Sequence, residues 1–258
     1  MKGTPFEQRG REYVASALPH GSPYERQKLL EDWFGKEEAA QGIYDDFEKR
    51  AGDPTDREVL DIGFGNGITA SVFAQRGVRV SGVEVSPELF SIATDYLKER
   101  GISADLRLYE GVVFPFADGA FDHIYSVSVL EHVADAAAVM KEACRVLKSG
   151  GTFYLAFPNR WNPKETHTGI WFLSYLPRGV AGVFLTFFGR NSLDDWNLHF
   201  LSYFWLRRLL KKNNIELSVV FESEQGSGMR KTLKQILAVL GIHHSALLPH
   251  VMVILKKA

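Results

Sequence analysis

The sequence is short of cysteine, of net charge and of any uninterrupted hydrophobic run, and each shortage excludes something. Cys144 is the single cysteine, so neither an intramolecular disulfide nor a cysteine-based zinc site can form within the chain. It falls in a helical pattern with Met140, Ala143 and Leu147, where it reads as a small buried apolar side chain. Thirty Lys and Arg against 31 Asp and Glu leave a formal net charge of -1. No overall positive field exists to hold phosphates, so no nucleic-acid partner is expected. From Met1 to Val14 there is no apolar stretch of the kind a signal peptide needs. The most apolar segment, Ile170 to Phe188, is interrupted by Pro177 and Arg178. A charge there would cost at least about 2.5 kcal/mol in hydrocarbon, which argues against a membrane span. The reading is a soluble, cytoplasmic protein. Spacing reveals no set of metal ligands, and His243-His244 lacks further donors near it, so no metal is expected.

What is present suits a packed globular chain. Its 258 residues are 45% hydrophobic and 24% charged, enough for one domain with an elaboration. Residues 1–54 are polar and helix-prone, with an amphipathic run at Leu29, Leu30, Trp33 and Phe34, and Ala51 to Asp56 reads as a loop. Strand patterns at 58–62, 78–83, 105–109, 121–127 and 151–157 then alternate with helix patterns at 67–76, 87–100 and 134–148. Ser86-Pro87 supplies an N-cap and a first-turn proline, and Ser149-Gly150-Gly151 reads as the end of the third helix. Such alternation implies crossover connections and a parallel sheet covered on both faces, an α/β doubly wound fold. The rhythm breaks over 158–201, an aromatic-rich insertion, and resumes over 202–258 with a helix at 202–213, a strand at 215–222 and a last strand from Pro249 to Leu255. The core is accordingly assigned to 55–157. A long insertion of this kind is commonly a lid or binding element. The chain from Leu201 onward is also its basic end, with Arg207, Arg208, Lys211, Lys212, Arg230, Lys231 and Lys234.

The strongest local signal is Val59-Leu60-Asp61-Ile62-Gly63-Phe64-Gly65-Asn66-Gly67. Glycines between a strand and a helix let backbone N–H groups approach a ligand at the helix N-terminus. An acid, Asp61, stands two residues before the first glycine, where a buried strand would prefer an apolar side chain. Position 68 is Ile, so the dinucleotide pattern of three glycines is not met, which weighs against a nicotinamide dehydrogenase. A second acid, Glu84, ends the next strand about twenty residues on, where a carboxylate can accept ribose hydroxyls.

At these residues the chain resembles the class I S-adenosylmethionine-dependent methyltransferases, and within them the bacterial small-molecule group that includes quinone- and sterol-methylating enzymes. Three further blocks match in order: Tyr109-Glu110-Gly111 through Pro115, Asp118 and Phe121-Asp122; Ser126 through Leu130-Glu131-His132; and Arg145 through Gly150-Gly151. The likeness covers about 55–160. It implies a Rossmann-like sheet, mostly parallel with an antiparallel last strand, and S-adenosylmethionine as cofactor. Asp61, Gly63, Gly65 and Gly67 would hold its methionine part, and Glu84 its ribose hydroxyls. Val85 would lie beside the adenine, and Glu110, where many members have Asp, would accept the adenine amino hydrogens. Gly111 would give a backbone contact, with Ser126 and Val127 near the sulfonium.

Methyl transfer to a hydroxyl needs a base with a near-neutral pKa, which makes histidine the first suspect. His132 follows the fourth strand, where it is either catalytic or a group that orients the turn. His167, in the polar stretch beyond the fifth strand, is either a base and substrate-binding group or a loop-structuring histidine. Glu165 and Arg160 read as surface charges or salt-bridge partners, and His199 as partly buried and structural. The aromatics Trp161, Trp171, Phe172, Tyr175, Phe184, Phe187 and Phe188 fit a hydrophobic acceptor pocket, a helical cap with its own core, or a face that touches a bilayer. The expectation is methylation of a small, apolar or lipid-like acceptor at oxygen, with a non-catalytic cofactor-binding subunit as the alternative. Oligomeric state is not readable.

Overall fold

The computed structural model describes residues 5–18, 21–34, 36–189, 193–194, 197–221 and 229–258. The side chains of Trp33, Phe34, Arg230 and Lys231, and Trp196 as a whole, lie outside that description. Three helices come first: α1 (Pro5–Ala17), α2 (Pro23–Phe34) and α3 (Lys36–Ala51). The alternating core follows as β1 (Glu58–Ile62), α4 (Ile68–Gln75), β2 (Arg79–Glu84), α5 (Pro87–Glu99), β3 (Asp105–Leu108), β4 (Phe121–Val127), α6 (Ala136–Val146) and β5 (Leu147–Pro158). The insertion contains α7 (Arg178–Phe187), and α8 (Tyr203–Lys212), β6 (Leu217–Val220), α9 (Met229–Val239) and β7 (His250–Lys257) complete the chain.

The strands form one sheet in the order β3-β2-β1-β4-β5-β7-β6. β1 pairs in parallel with β2 and β4, and β4 with β5, whereas β7 runs antiparallel between β5 and β6. Order reverses at β1, which leaves a crevice beyond the carboxyl ends of β1, β2 and β4, the usual ligand position in an open α/β sheet. Neighbouring side chains on β4 serve opposite faces. Ile124 packs with Leu60, Met140, Phe153 and Leu206 on one, and Tyr125 with Phe47, Phe73 and Tyr154 on the other. The Phe73 and Tyr125 rings stack at 4.5 Å. Arg9 pairs with Asp95, and Phe6 lies 4.6 Å from the Tyr96 ring, so α1 is fastened across α5 at the crevice side.

One boundary departs from the sequence expectation. The third core helix stops at Val146 rather than at 148, because Leu147 already pairs with Phe121. Ser149-Gly150-Gly151 therefore lies within an irregular extended run, with Gly150 at φ 76° and a register shift opposite it on β4. The insertion has a small core of its own, made of Leu173, Ala181, Leu185, Leu193 and Leu198. Among the described residues no helix is long and apolar enough to cross a membrane.

Candidate active site

The glycine loop closes against two neighbours. Gly63 has φ 76° and donates its N–H to the Val83 carbonyl at 2.8 Å, and a side chain there would run into Val129 beyond β4. Gly67 has φ 80°, and a Cβ there would lie 2.9 Å from that of Ala93 on α5. Only glycine meets both demands without strain. Asp61 is buried at the end of β1, and the Tyr125 hydroxyl donates to its Oδ2 at 2.6 Å. Burial and the Asp61 charge push the Tyr125 phenol well above its usual range, so it stays a donor that fixes the carboxylate.

Glu84 is buried at the end of β2. Its Oε1 accepts the N–H groups of Val85 and Ser86 at 2.8 and 3.0 Å, and its Oε2 accepts that of Gly65 at 3.1 Å. One carboxylate thus joins the glycine loop to the β2 turn. Tyr13 of α1 and Tyr109 both feel it: burial first, then the Glu84 charge, pushes each phenol up to about 12. Val85 is exposed, and a Cβ on Gly111 would sit 3.5 Å from its methyl group, so the two residues line one slot. Glu110 is exposed at its edge. Ser126 donates to the Ile62 carbonyl at 3.3 Å, and Val127 is half-buried beside it. In the loop itself, the buried Nδ2 of Asn66 has no hydrogen-bond partner among the described residues. Two fixed acids, an apolar slot and an orphaned amide donor could hold a nucleoside that carries an amino-acid tail.

A second cluster forms where the turn after β4 meets the insertion. The short turn Leu130–His132 carries Glu131 inward until it is 1% exposed, and among the described residues neither carboxylate oxygen has a hydrogen-bond partner. Its Oε1 lies 4.0 Å from His132 Nε2 and 4.0 Å from His167 Nε2. The two imidazole rings meet edge to face at 5.0 Å. Glu165 takes the N–H groups of His167 and Thr168 at 3.0 and 2.6 Å and the Thr168 hydroxyl at 2.7 Å, and it pairs with His167 Nδ1 at 3.1 Å. These contacts hold the Glu165 carboxyl down at about 2 against the cost of burial. Burial pushes the Glu131 carboxyl up to about 7, with the His167 charge opposing. His167 is raised despite burial because Glu165 and then Glu131 favour its cation. The cluster therefore carries a proton near neutral pH that Glu131 can release or receive. The His199 N–H donates to the Glu131 carbonyl at 2.8 Å and Asn197 Nδ2 to the His132 carbonyl at 2.6 Å, so the end of the insertion braces this turn.

The structure thus brings His132 and His167 together, and it sets the ten cofactor candidates at or just beyond the carboxyl ends of β1, β2, β3 and β4. Of the two readings of Glu165, the salt-bridge partner holds and the surface charge does not: it is 4% exposed and pairs with His167, because its turn folds four donors onto it. The spacing Glu165, His167, Thr168 is the sequence trace of that turn. Glu131 and Tyr109 stand in the matched blocks without an assigned role, and Tyr125 and Tyr13 carry none either, since only folding shows their burial and their partners. Folding also gathers Glu131, His132 and His167 with donor atoms within 4.8 Å of one another, a grouping able to hold a cation that spacing alone did not reveal.

Residues 60–155 match the family model described as a methyltransferase domain. A ubiquinone biosynthesis O-methyltransferase of Pseudomonas aeruginosa (strain UCBPP-PA14) is 29% identical over 70% of this chain and 82% of its own length. Among solved structures, the fold resembles the PH0226 protein from Pyrococcus horikoshii OT3, with TM-score 0.60, 16% identity and 96% and 99% of the two chains covered. It also resembles geranyl diphosphate C-methyltransferase from Streptomyces coelicolor A3(2), solved with Mg2+, geranyl diphosphate and S-adenosyl-L-homocysteine, with TM-score 0.57, 18% identity and 99% of each chain covered.

Proposed function

Given that the chain is a class I S-adenosylmethionine-dependent methyltransferase, we propose that it methylates a hydroxyl oxygen of a small, apolar or lipid-like acceptor. The observation that carries the reading is Glu131, a buried carboxylate without a hydrogen-bond partner, poised near neutral pH beside His167. A hydroxyl becomes an effective nucleophile only as its proton leaves, and such a carboxylate is suited to take it. Oxygen as the target is further supported by the relatives' O-methylation.

S-adenosylmethionine supplies an electrophilic methyl group and a thioether that leaves readily. Asp61 and the loop of Gly63, Gly65 and Gly67 hold its amino-acid part, Glu84 the ribose hydroxyls, Val85 and Gly111 the adenine faces, and Glu110 its amino edge. Ser126 and Val127 border the reacting end. Glu131 takes the acceptor proton. His167, kept cationic by Glu165, steadies the carboxylate, and His132 closes the other side of it. Alignment and exclusion of water then account for the remaining acceleration. The domain roles follow: residues 55–157 bind cofactor, 158–201 cover the acceptor, 1–54 close over the crevice, and 202–258 complete the sheet. Exposed aromatics of the insertion give the protein a face for contact with a bilayer.

The test is transfer of a labelled methyl group to a panel of hydroxyaromatic compounds with apolar tails, with product analysis at oxygen. Methylated oxygen with the native chain and none with Glu131→Gln supports the reading. Binding of S-adenosylhomocysteine without turnover on any acceptor would favour the alternative, a non-catalytic partner subunit. The approach of Glu131, His132 and His167 favours one second reading, a bound divalent cation. Turnover abolished by a chelator and restored by a divalent metal would establish it.

A further inference from the structure

A cavity of about 580 Å3 opens between the turn after β4 and helix α8. It shares Arg160, His199 and Phe200 with the crevice lined by Glu131, Glu165 and His167. One face of α8 forms its wall, because Trp205, Arg208, Leu209 and Lys212 recur at the i, i+3, i+4, i+7 spacing. Two of these four are cations one turn apart, an arrangement that disfavours a helix unless something offsets it. Asp135 is the one carboxylate lining the cavity, and its oxygen is engaged in capping α6 through the N–H groups of Ala137 and Ala138 at 3.0 Å each. Among the described residues neither Arg208 nor Lys212 has an ion-pair partner, and both are exposed. Arg178 also lines the cavity, paired at 2.6 Å with Asp194 outside it. Arg160, which donates from its terminal nitrogen to the Leu176 carbonyl at 3.3 Å, brings a buried Nε that has no hydrogen-bond partner among the described residues. The other walls, Leu130, Val133, Phe200 and Trp205, are apolar.

A cavity with concentrated positive charge on apolar walls suits neither a neutral hydrocarbon nor a bare anion. We propose that it binds an amphiphile whose carboxylate or phosphate group lies against Arg208 and Lys212 and whose apolar body covers Phe200 and Trp205. Resting on the methyltransferase reading, and on the wall shared with the Glu131 crevice, this makes the acceptor an anionic amphiphile. An anionic lipid headgroup offers the same chemistry from a membrane, and the test separates the two sources.

Calorimetry on the full chain loaded with S-adenosylhomocysteine would compare octyl phosphate, octanol and inorganic phosphate. Octyl phosphate should bind at least tenfold more tightly than either fragment. The exposed double variant Arg208→Ala/Lys212→Ala should lose tenfold or more in octyl phosphate affinity, with octanol and S-adenosylhomocysteine affinities unchanged. Equal octyl phosphate affinity in both proteins would overturn the proposal, as would inorganic phosphate binding as tightly as the amphiphile. Binding only to vesicles that contain anionic phospholipid, lost in the double variant, would replace an acceptor site by a headgroup site. Failure of S-adenosylhomocysteine to bind the native chain would strike the methyltransferase reading separately.

Discussion

Glu84 and Glu131 are both buried carboxylates, yet their surroundings prepare them for opposite tasks. Three backbone N–H groups converge on Glu84, which fix its carboxylate in place, as the proposed contact with ribose hydroxyls requires. Glu131 receives none from its neighbours and so holds its proton up to about 7. Replacing Glu84 by Ala should weaken S-adenosylhomocysteine binding at least tenfold, in line with roughly 1.5–3 kcal/mol for hydrogen bonds to a charged group. Unchanged affinity in calorimetry would remove the cofactor from this crevice. For Glu131 the decisive measurement is the pH profile. The base form exists above its pKa, so kcat/KM should rise with pH through about 7. Glu131→Gln should flatten that limb and lower kcat by about 10²–10⁴. His167→Ala should cost turnover while leaving cofactor affinity intact. Glu84 was legible in the sequence because spacing after a glycine loop marks it. Glu131 was not, since its chemistry comes from Glu165 and His167 of the insertion, more than thirty residues further along the chain.

The insertion shows how one element can answer two of the readings that its composition left open. The inner side of α7 contributes Ala181 and Leu185 to a closed core. Its outer side leaves Phe187 83% and Val183 72% exposed, next to Phe184 and Phe188. A helical apolar pattern cannot say from sequence which stripe meets protein and which meets something else. Exposed large apolar groups in such a patch mark an interaction face. The double change Val183→Asp/Phe187→Asp should therefore leave the melting temperature nearly unchanged and reduce cosedimentation with phospholipid vesicles. A large loss of stability would instead mean that this face packs against protein. The core elements were the easier part, because period-2 and period-3.6 patterns alternate without overlap from β1 to β5. Where they fail, at Leu147 to Gly151, strand pairing with Phe121 overrides the local helix-ending signal of the glycines.

Across the whole molecule, the acid cluster sets stability against activity. Glu165, held down at about 2, contributes stability that is complete above the ordinary glutamate value of 4.5 and is lost as pH falls from there through about 2. Glu131 acts in the reverse sense. Its folded-state pKa is raised to about 7 from 4.5, so the unfolded chain ionises it first, and the fold loses stability as pH climbs between these values. Above about 7 the penalty is complete, on the order of 3 kcal/mol for a shift of this size. A buried carboxylate with a raised pKa thus weakens the fold in the pH range where the proposed base would work. Glu131→Gln keeps the shape and removes the ionisation. The variant and the native chain should melt at nearly the same temperature at pH 5, and the variant should melt roughly 5–10 °C higher at pH 8. Melting curves across that range decide the matter. A constant difference at every pH would mean that Glu131 is already ionised at pH 5, and with it would fall the assignment of the neutral-pH base to this residue.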